Sequence, residues 1–154
     1  MNKDKSMEIK YLFFKIQEEN FIMDISKVHS VIVKEALEIR RVPDAPKWVM
    51  GITSIRESVA VVVDGRILFN KPAQMLEKYK VILLRDEDDS NCGIVVDDVS
   101  GVINDDSENI QSKDNSFLKA SLAEGVLLKG DDMYLLIDPI RIISLVSENK
   151  LNKT

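Results

Sequence analysis

Apolar positions along this chain come in short runs of about five residues, rich in β-branched side chains and bounded by polar turn residues. That is the pattern of strands rather than of helices. Tyr11–Ile16 reads as a strand, Gln17–Asn20 as a polar loop and Phe21–Ile25 as the return, with Phe21, Met23 and Ile25 on one face. Ser26 is a candidate cap for a short helix carrying Val28, Val31 and Ile32, kept brief by β-branched Val31, Ile32 and Val33. Leu37–Val42 reads as an exposed strand that enters a stiff turn, Pro43-Asp44-Ala45-Pro46, where the prolines fix φ and bias the residues before them. Gly51–Ile55 and Val59–Asp64 then make a central hairpin with Arg56-Glu57-Ser58 at its tip. Val59–Val63 is apolar on both faces, which predicts burial on both sides.

The second half repeats the theme. Ile67–Phe69 is a short apolar plug and Lys71–Lys78 a connector. Tyr79–Arg85 and Cys92–Asp97 read as strands around the acidic loop Asp86–Asn91, and Val99–Ile103 continues in extended form. Asn104–Asn115 is the most loop-like stretch. Val126–Leu128 and Met133–Ile137 form a last hairpin. Asp138 with Pro139 at the first helical position starts a final helix, docked by Ile140, Ile143 and Val146, before a polar tail over 147–154. Roughly nine or ten short strands with turn signals between them predict an all-β chain that closes as barrels or sandwiches.

Composition narrows the function classes. The 154 residues are 45% apolar and 31% charged, ordinary for one globular domain or two small halves sharing a core. With 21 basic against 26 acidic residues the net charge is −5, which argues against non-specific nucleic-acid binding. No apolar run approaches the roughly 20 residues that span a bilayer, and no secretory signal precedes Tyr11, so a soluble cytoplasmic protein without membrane insertion is expected. A single cysteine, Cys92, allows no intrachain disulfide.

Candidate chemistry is thin. His29 stands alone, without the partners that acid–base or metal work needs. Cys92 follows an acidic loop, the wrong field for a thiolate nucleophile. Asp86, Asp88, Ser90 and Asp97 mimic a calcium-loop spacing, but Asn91 sits where glycine belongs and Asp97 where glutamate belongs. Asp105, Asp106 and Glu108 form a second acidic stretch. Asp64, Asp97 and Asp138 each end an apolar run and read as turn or helix caps. No metal, cofactor or catalytic residue is expected, and the chain is read as a non-enzyme. Arg56 differs in kind: an arginine at a hairpin tip between buried strands suits a protein-binding anchor.

Several of these stretches, taken in order, resemble the CheW-like family of chemotaxis adaptor proteins, from Tyr11 to about Leu145. The opening Y-L-x-F strand is similar to Tyr11–Phe14, and a following family segment to Glu19-Asn20-Phe21 and Ile25. The long signature ending N-L-R-G-x-(V/I)-x-P-V-x-D is similar to Pro43–Asp64, and G-I-V-V-D-x-V to Gly93–Val99. The family's N-L-R-G stands here as Ser54-Ile55-Arg56-Glu57, its proline is replaced at Ala60 or Val61, and its D-L-R is Asp64-Gly65-Arg66. The resemblance implies two small five-stranded SH3-like β-barrel subdomains packed together, with short connecting and C-terminal helices. It places approximate subdomains at 15–78 and 79–146 of one 1–154 domain, with strand 9–16 a candidate to cross over. It implies a non-catalytic adaptor bridging the cytoplasmic tip of a methyl-accepting chemoreceptor and the regulatory domain of a chemotaxis histidine kinase. The partner-binding residues it implies are Arg56, Ile55 and Glu57 at the tip, Ile25, Val28 and Val31 on the receptor side, and Val96 and Val99 lining a groove. Alternatives are a scaffold of another sensory or motility pathway, or a calcium- or small-ligand-binding module built on the acidic loops.

Overall fold

The structure is a computed structural model that describes residues 7–55, 57–71, 77–85, 92–111 and 122–152. Its described strands are β1 (Glu8–Ile16), β2 (Glu19–Asp24), β3 (Val28–Val33), β4 (Val49–Ile55), β5 (Ser58–Asp64) and β6 (Lys80–Leu84). They continue with β7 (Cys92–Val96), β8 (Asp98–Asp106), β9 (Ile110–Gln111), β10 (Ala123–Lys129) and β11 (Asp132–Ile137). Among the described residues two α-helices join them, α1 (Gly65–Leu68) and α2 (Pro139–Asn152). One sheet runs β8-β1-β2-β11-β10-β9 and the other β3-β6-β7-β5-β4. The fold is all-β, its two sheets corresponding to the two expected SH3-like subdomains. The second sheet is one continuous stretch of chain, Val28–Val96, and the expected 78/79 boundary falls between two of its strands.

Strand alternation explains the layering. Successive side chains of a strand point to opposite faces. From β1, Leu12, Phe14 and Ile16 enter the core between the sheets, while Tyr11 and half-buried Ile9 and Phe13 enter a smaller core on the far face. β2 divides the same way, Phe21 and Met23 against Ile22. From the other sheet, Val63, Ile82, Leu84, Ile94 and Val96 meet them in the shared core, and Val62, Val81 and Val95 make a third cluster behind. Phe21 stacks on Phe14 with ring centroids 5.6 Å apart and lies 4.9 Å from Phe69.

Local expectations changed where pairing outweighed local pattern. The helix expected after Ser26 is one 3-10 turn, Ile25–Lys27, capped by Asp24 Oδ1, which accepts from the Ser26 N–H at 2.9 Å. Val28–Val33 is a strand instead, because its β-branched residues suit a ladder and β6 offers one, with Val31 opposite Ile82. The strand expected over Leu37–Val42 is reduced to one bridge, Arg40 to Ile52, with both hydrogen bonds at 2.8 Å. There the chain passes so close to β4 that a Cβ on Gly51 would lie 2.2 Å from the Arg40 carbonyl oxygen. The first loop is only Gln17-Glu18, since Glu19 and Asn20 pair with Ile16 and Lys15. The loop expected from Asn104 is strand to Asp106, held against β1 from Glu8 onward, then a 3-10 turn and β9. Its remainder, 112–115, lies outside the described residues.

The second face of β5 is partly open: Val59 is exposed and Val61 half-buried. In α2, Ile142 and Val146 are buried and Ile143 packs beside them, whereas Ile140, expected to dock, is exposed. Asp138 accepts from the Ile140 N–H at 3.0 Å, and that cap aims the i, i+4 pair Ile142 and Val146 at the core. The helix runs to Asn152, into the stretch expected as a tail.

Phe21 touches both neighbouring rings and is fully buried, so Phe21→Ala leaves a cavity the sheets cannot close. Chemical denaturation should show a loss of about 3–5 kcal/mol.

Candidate partner-binding surfaces

The expected partner-binding residues fall into two places. Ile55 and Glu57 flank Arg56 at the β4–β5 tip, and Arg56 itself lies outside the described residues. Ile25 and Val28 lie more than seventy residues from Val99 along the chain, yet all three are half-buried on the shared core. Ile25 sits where the chain leaves the first sheet and Val99 where it returns. They therefore line the junction between the sheets. Val31 is on the outward face of β3, 38% exposed. Val96, expected to line a groove, is fully buried in the shared core and offers a partner no surface in this fold.

The tip is tight. Ile55 and Ser58 pair across the tip, so Ser58 belongs to β5 rather than to the expected tip, and Glu57 before it adopts φ 69°. Hairpin turns of this length need positive φ, which a Cβ resists. A groove of about 370 Å³ runs beside the tip between Glu38, Arg40, Thr53, Ser54 and Val59. Thr53 is buried and donates to the Glu38 carbonyl oxygen at 2.9 Å, so the groove wall is pinned.

The residues weighed as chemistry have structural jobs. His29 is exposed, with Nδ1 3.2 Å from Ser30 Oγ, and Cys92 is buried in the shared core. Asp64 accepts from the Arg66 N–H at 2.9 Å and caps α1, as expected for a strand-end aspartate. Asp105 Oδ1 accepts from Asn109 Nδ2 and from the Asp106 N–H, each at 2.7 Å, and Oδ2 meets Lys129 Nζ at 3.0 Å. These contacts, with Asn109 first, hold its carboxyl below the ordinary value of 3.8. Asp106 accepts from the Glu108 N–H. Among the described residues no group of three or more His, Cys, Asp or Glu side chains could hold a metal ion. The calcium-like loop 86–91 lies outside the described residues. No described helix is long and apolar enough to cross a membrane.

One residue escaped the sequence reading. Arg66 is 2% exposed, and its Nε meets Asp97 Oδ1 at 3.4 Å. The available signal was an arginine in the short break Asp64–Arg66 between two apolar runs, Val59–Val63 and Ile67–Phe69.

Glu57→Gly should raise stability. Relief of the left-handed strain is worth about 1–2 kcal/mol, and the added unfolded-state freedom takes back about 0.5–1 kcal/mol. A melting-temperature rise of a few degrees is the expected reading; a fall would show that Glu57 holds the turn through its side chain. Asp105 has a folded value depressed below its unfolded one, so its contribution is present above the unfolded value and lost as pH falls through the folded one. Wild-type stability should therefore decline between about pH 5 and pH 3. Asp105→Asn should be less stable at neutral pH and show a shallower decline in acid-titrated denaturation.

Comparison with known proteins closes the question of kinship. The family model for the CheW-like domain matches residues 10–147. The chemotaxis protein CheW of Klebsiella aerogenes is 24% identical over 137 residues, covering 88% of this chain and 81% of that protein. That of Treponema pallidum is 25% identical over 152 residues, covering 95% and 86%. The crystal structure of the scaffolding protein TtCheW from Thermoanaerobacter tengcongensis shares the fold, with TM-score 0.74 at 24% identity over 86% of this chain and 90% of that one. A family match across the strands of both sheets, with the same fold beneath it, leaves one conclusion: the chain belongs to the CheW-like domain family.

Proposed function

We propose that this chain is a non-catalytic, cytoplasmic chemotaxis adaptor that couples the tip of a methyl-accepting chemoreceptor to the regulatory domain of a histidine kinase. The observation that carries this reading is the CheW-like match over residues 10–147. The names of the relatives, chemotaxis proteins and a scaffolding protein, support it. The junction formed by Ile25, Val28 and Val99 suits the apolar face of a receptor helix, with Val31 as an exposed neighbour. The tip of Ile55, Arg56 and Glu57 is the candidate kinase contact, with Arg56 as its anchor. Coupling then needs no bond making: a receptor state that binds one kinase conformation better shifts the kinase through the adaptor.

One observation favours a second reading. Glu57 stands where the family pattern has glycine, at a backbone position that glycine suits better. An acid retained there at a steric cost fits a changed partner, such as the kinase of another sensory or motility array.

Arg56→Ala tests the anchor. The variant should melt within about two degrees of wild type and lose at least tenfold in affinity for a purified kinase regulatory domain by calorimetry. Equal loss of melting temperature and binding would make Arg56 a structural residue. Wild-type binding to a motility-array kinase and not to the chemotaxis kinase would favour the second reading.

A further inference from the structure

Among the described residues, three ion pairs cross from the Val28–Val96 unit to the rest of the chain: Arg66–Asp97, Lys80–Asp98 and Lys71–Glu19, at 3.4, 2.9 and 2.7 Å. In each, the base belongs to the Val28–Val96 sheet unit and the acid lies outside it. The chain's net acidity falls the same way: basic and acidic residues balance within Val28–Val96, so the whole excess of −5 lies outside it. Among the described residues the other ion pairs stay within one unit. The seam is thus polarised, base on one side and acid on the other.

The shared core is apolar, and apolar contact has no direction: two sheets rotating a little on one another keep most of their burial. Directional contacts must choose the angle. Asp97 is tied to both units. It is the single residue between β7 and β8, its N–H donates to the Lys15 carbonyl oxygen of β1 at 3.0 Å, and its carboxylate meets Arg66. Arg66 rides on α1, which lies so close to β7 that a Cβ on Gly65 would come within 2.5 Å of the Val95 carbonyl oxygen. Turning one sheet against the other pulls Asp97 from a guanidinium that is buried, which exposes neither charge to enough water to compensate. Asp98 and Lys80 repeat the tie one residue on, and there the bond from Lys80 holds the Asp98 carboxyl below its ordinary value.

We propose that Arg66–Asp97, flanked by Lys80–Asp98 and Lys71–Glu19, is an ionic seam that sets the angle between the two sheets and so positions the junction and tip surfaces relative to each other. The positioning role rests on the adaptor reading; the angle itself does not. The pairs are positioning residues and touch no partner.

The test measures the angle first. Spin labels at Val33→Cys on β3 and Leu128→Cys on β10, both exposed, report the separation of the sheets in a Cys92→Ala background. Wild type should give one narrow distance distribution. Arg66→Met and Asp97→Asn should broaden it while far-ultraviolet circular dichroism is retained, and should weaken simultaneous receptor and kinase binding roughly three- to tenfold. Should Arg66→Met fail to fold, the less buried pair decides: Lys71→Glu broadens the distribution and Lys71→Glu with Glu19→Lys restores it. Folded variants with unchanged distributions, or a charge swap that restores nothing, overturn the seam. A wild-type protein that binds neither partner removes the adaptor reading and leaves the distances to judge the seam alone.

Discussion

Phe14, Ile16, Phe21 and Met23 enter from one sheet the same core that Val63, Ile82, Leu84 and Ile94 enter from the other, and every surface of this protein depends on that contact. Neither sheet is self-sufficient. Each keeps a smaller cluster on its outer side, while Phe14, Phe21, Trp48 and Phe69 are spent on the shared layer. The two subdomains therefore form one body, and the junction beside Ile25, Val28 and Val99 is the exposed margin of its core rather than a cleft between independent parts.

A scaffold must present its surfaces at constant geometry, and this fold separates two tasks to do so. Burial of apolar area supplies the cohesion. Charged groups at the crossovers supply direction, since an ion pair loses strength steeply when its geometry is disturbed. The division accounts for an arginine that is 2% exposed in a protein otherwise economical with buried polar groups. Two of the positive-φ residues, Gln17 and Glu57, are at hairpin turns, while Leu122, at φ 68°, packs against the shared core.

The strands were readable because their cause is local. Short apolar runs between polar turn residues, as in Tyr11–Ile16, Phe21–Met23 and Met133–Ile137, favour strands whatever the partner strand. The Asp138-Pro139 helix start was readable for the same reason, as cap and φ are set within three residues. The segment after Ser26 was not. Val28, Val31 and Ile32 satisfy helical spacing and β propensity equally, and the decision came from β6, fifty residues away, which offered a ladder.

The candidate surfaces divide along the same line. Sequence by itself determined that this is an all-β chain, and the motifs from Tyr11 to Asp138 carry its family. It also marked the arginine-bearing tip, because a polar turn between apolar strands is a short-range pattern. Only the tertiary structure decided that Val96 is core and unavailable, that Ile25 and Val99 are neighbours of one apolar layer, and that Arg66 and Asp97 meet. Those facts join residues thirty to seventy positions apart, and nothing in a local pattern of polarity states which distant strand lies alongside or which charge waits across the seam.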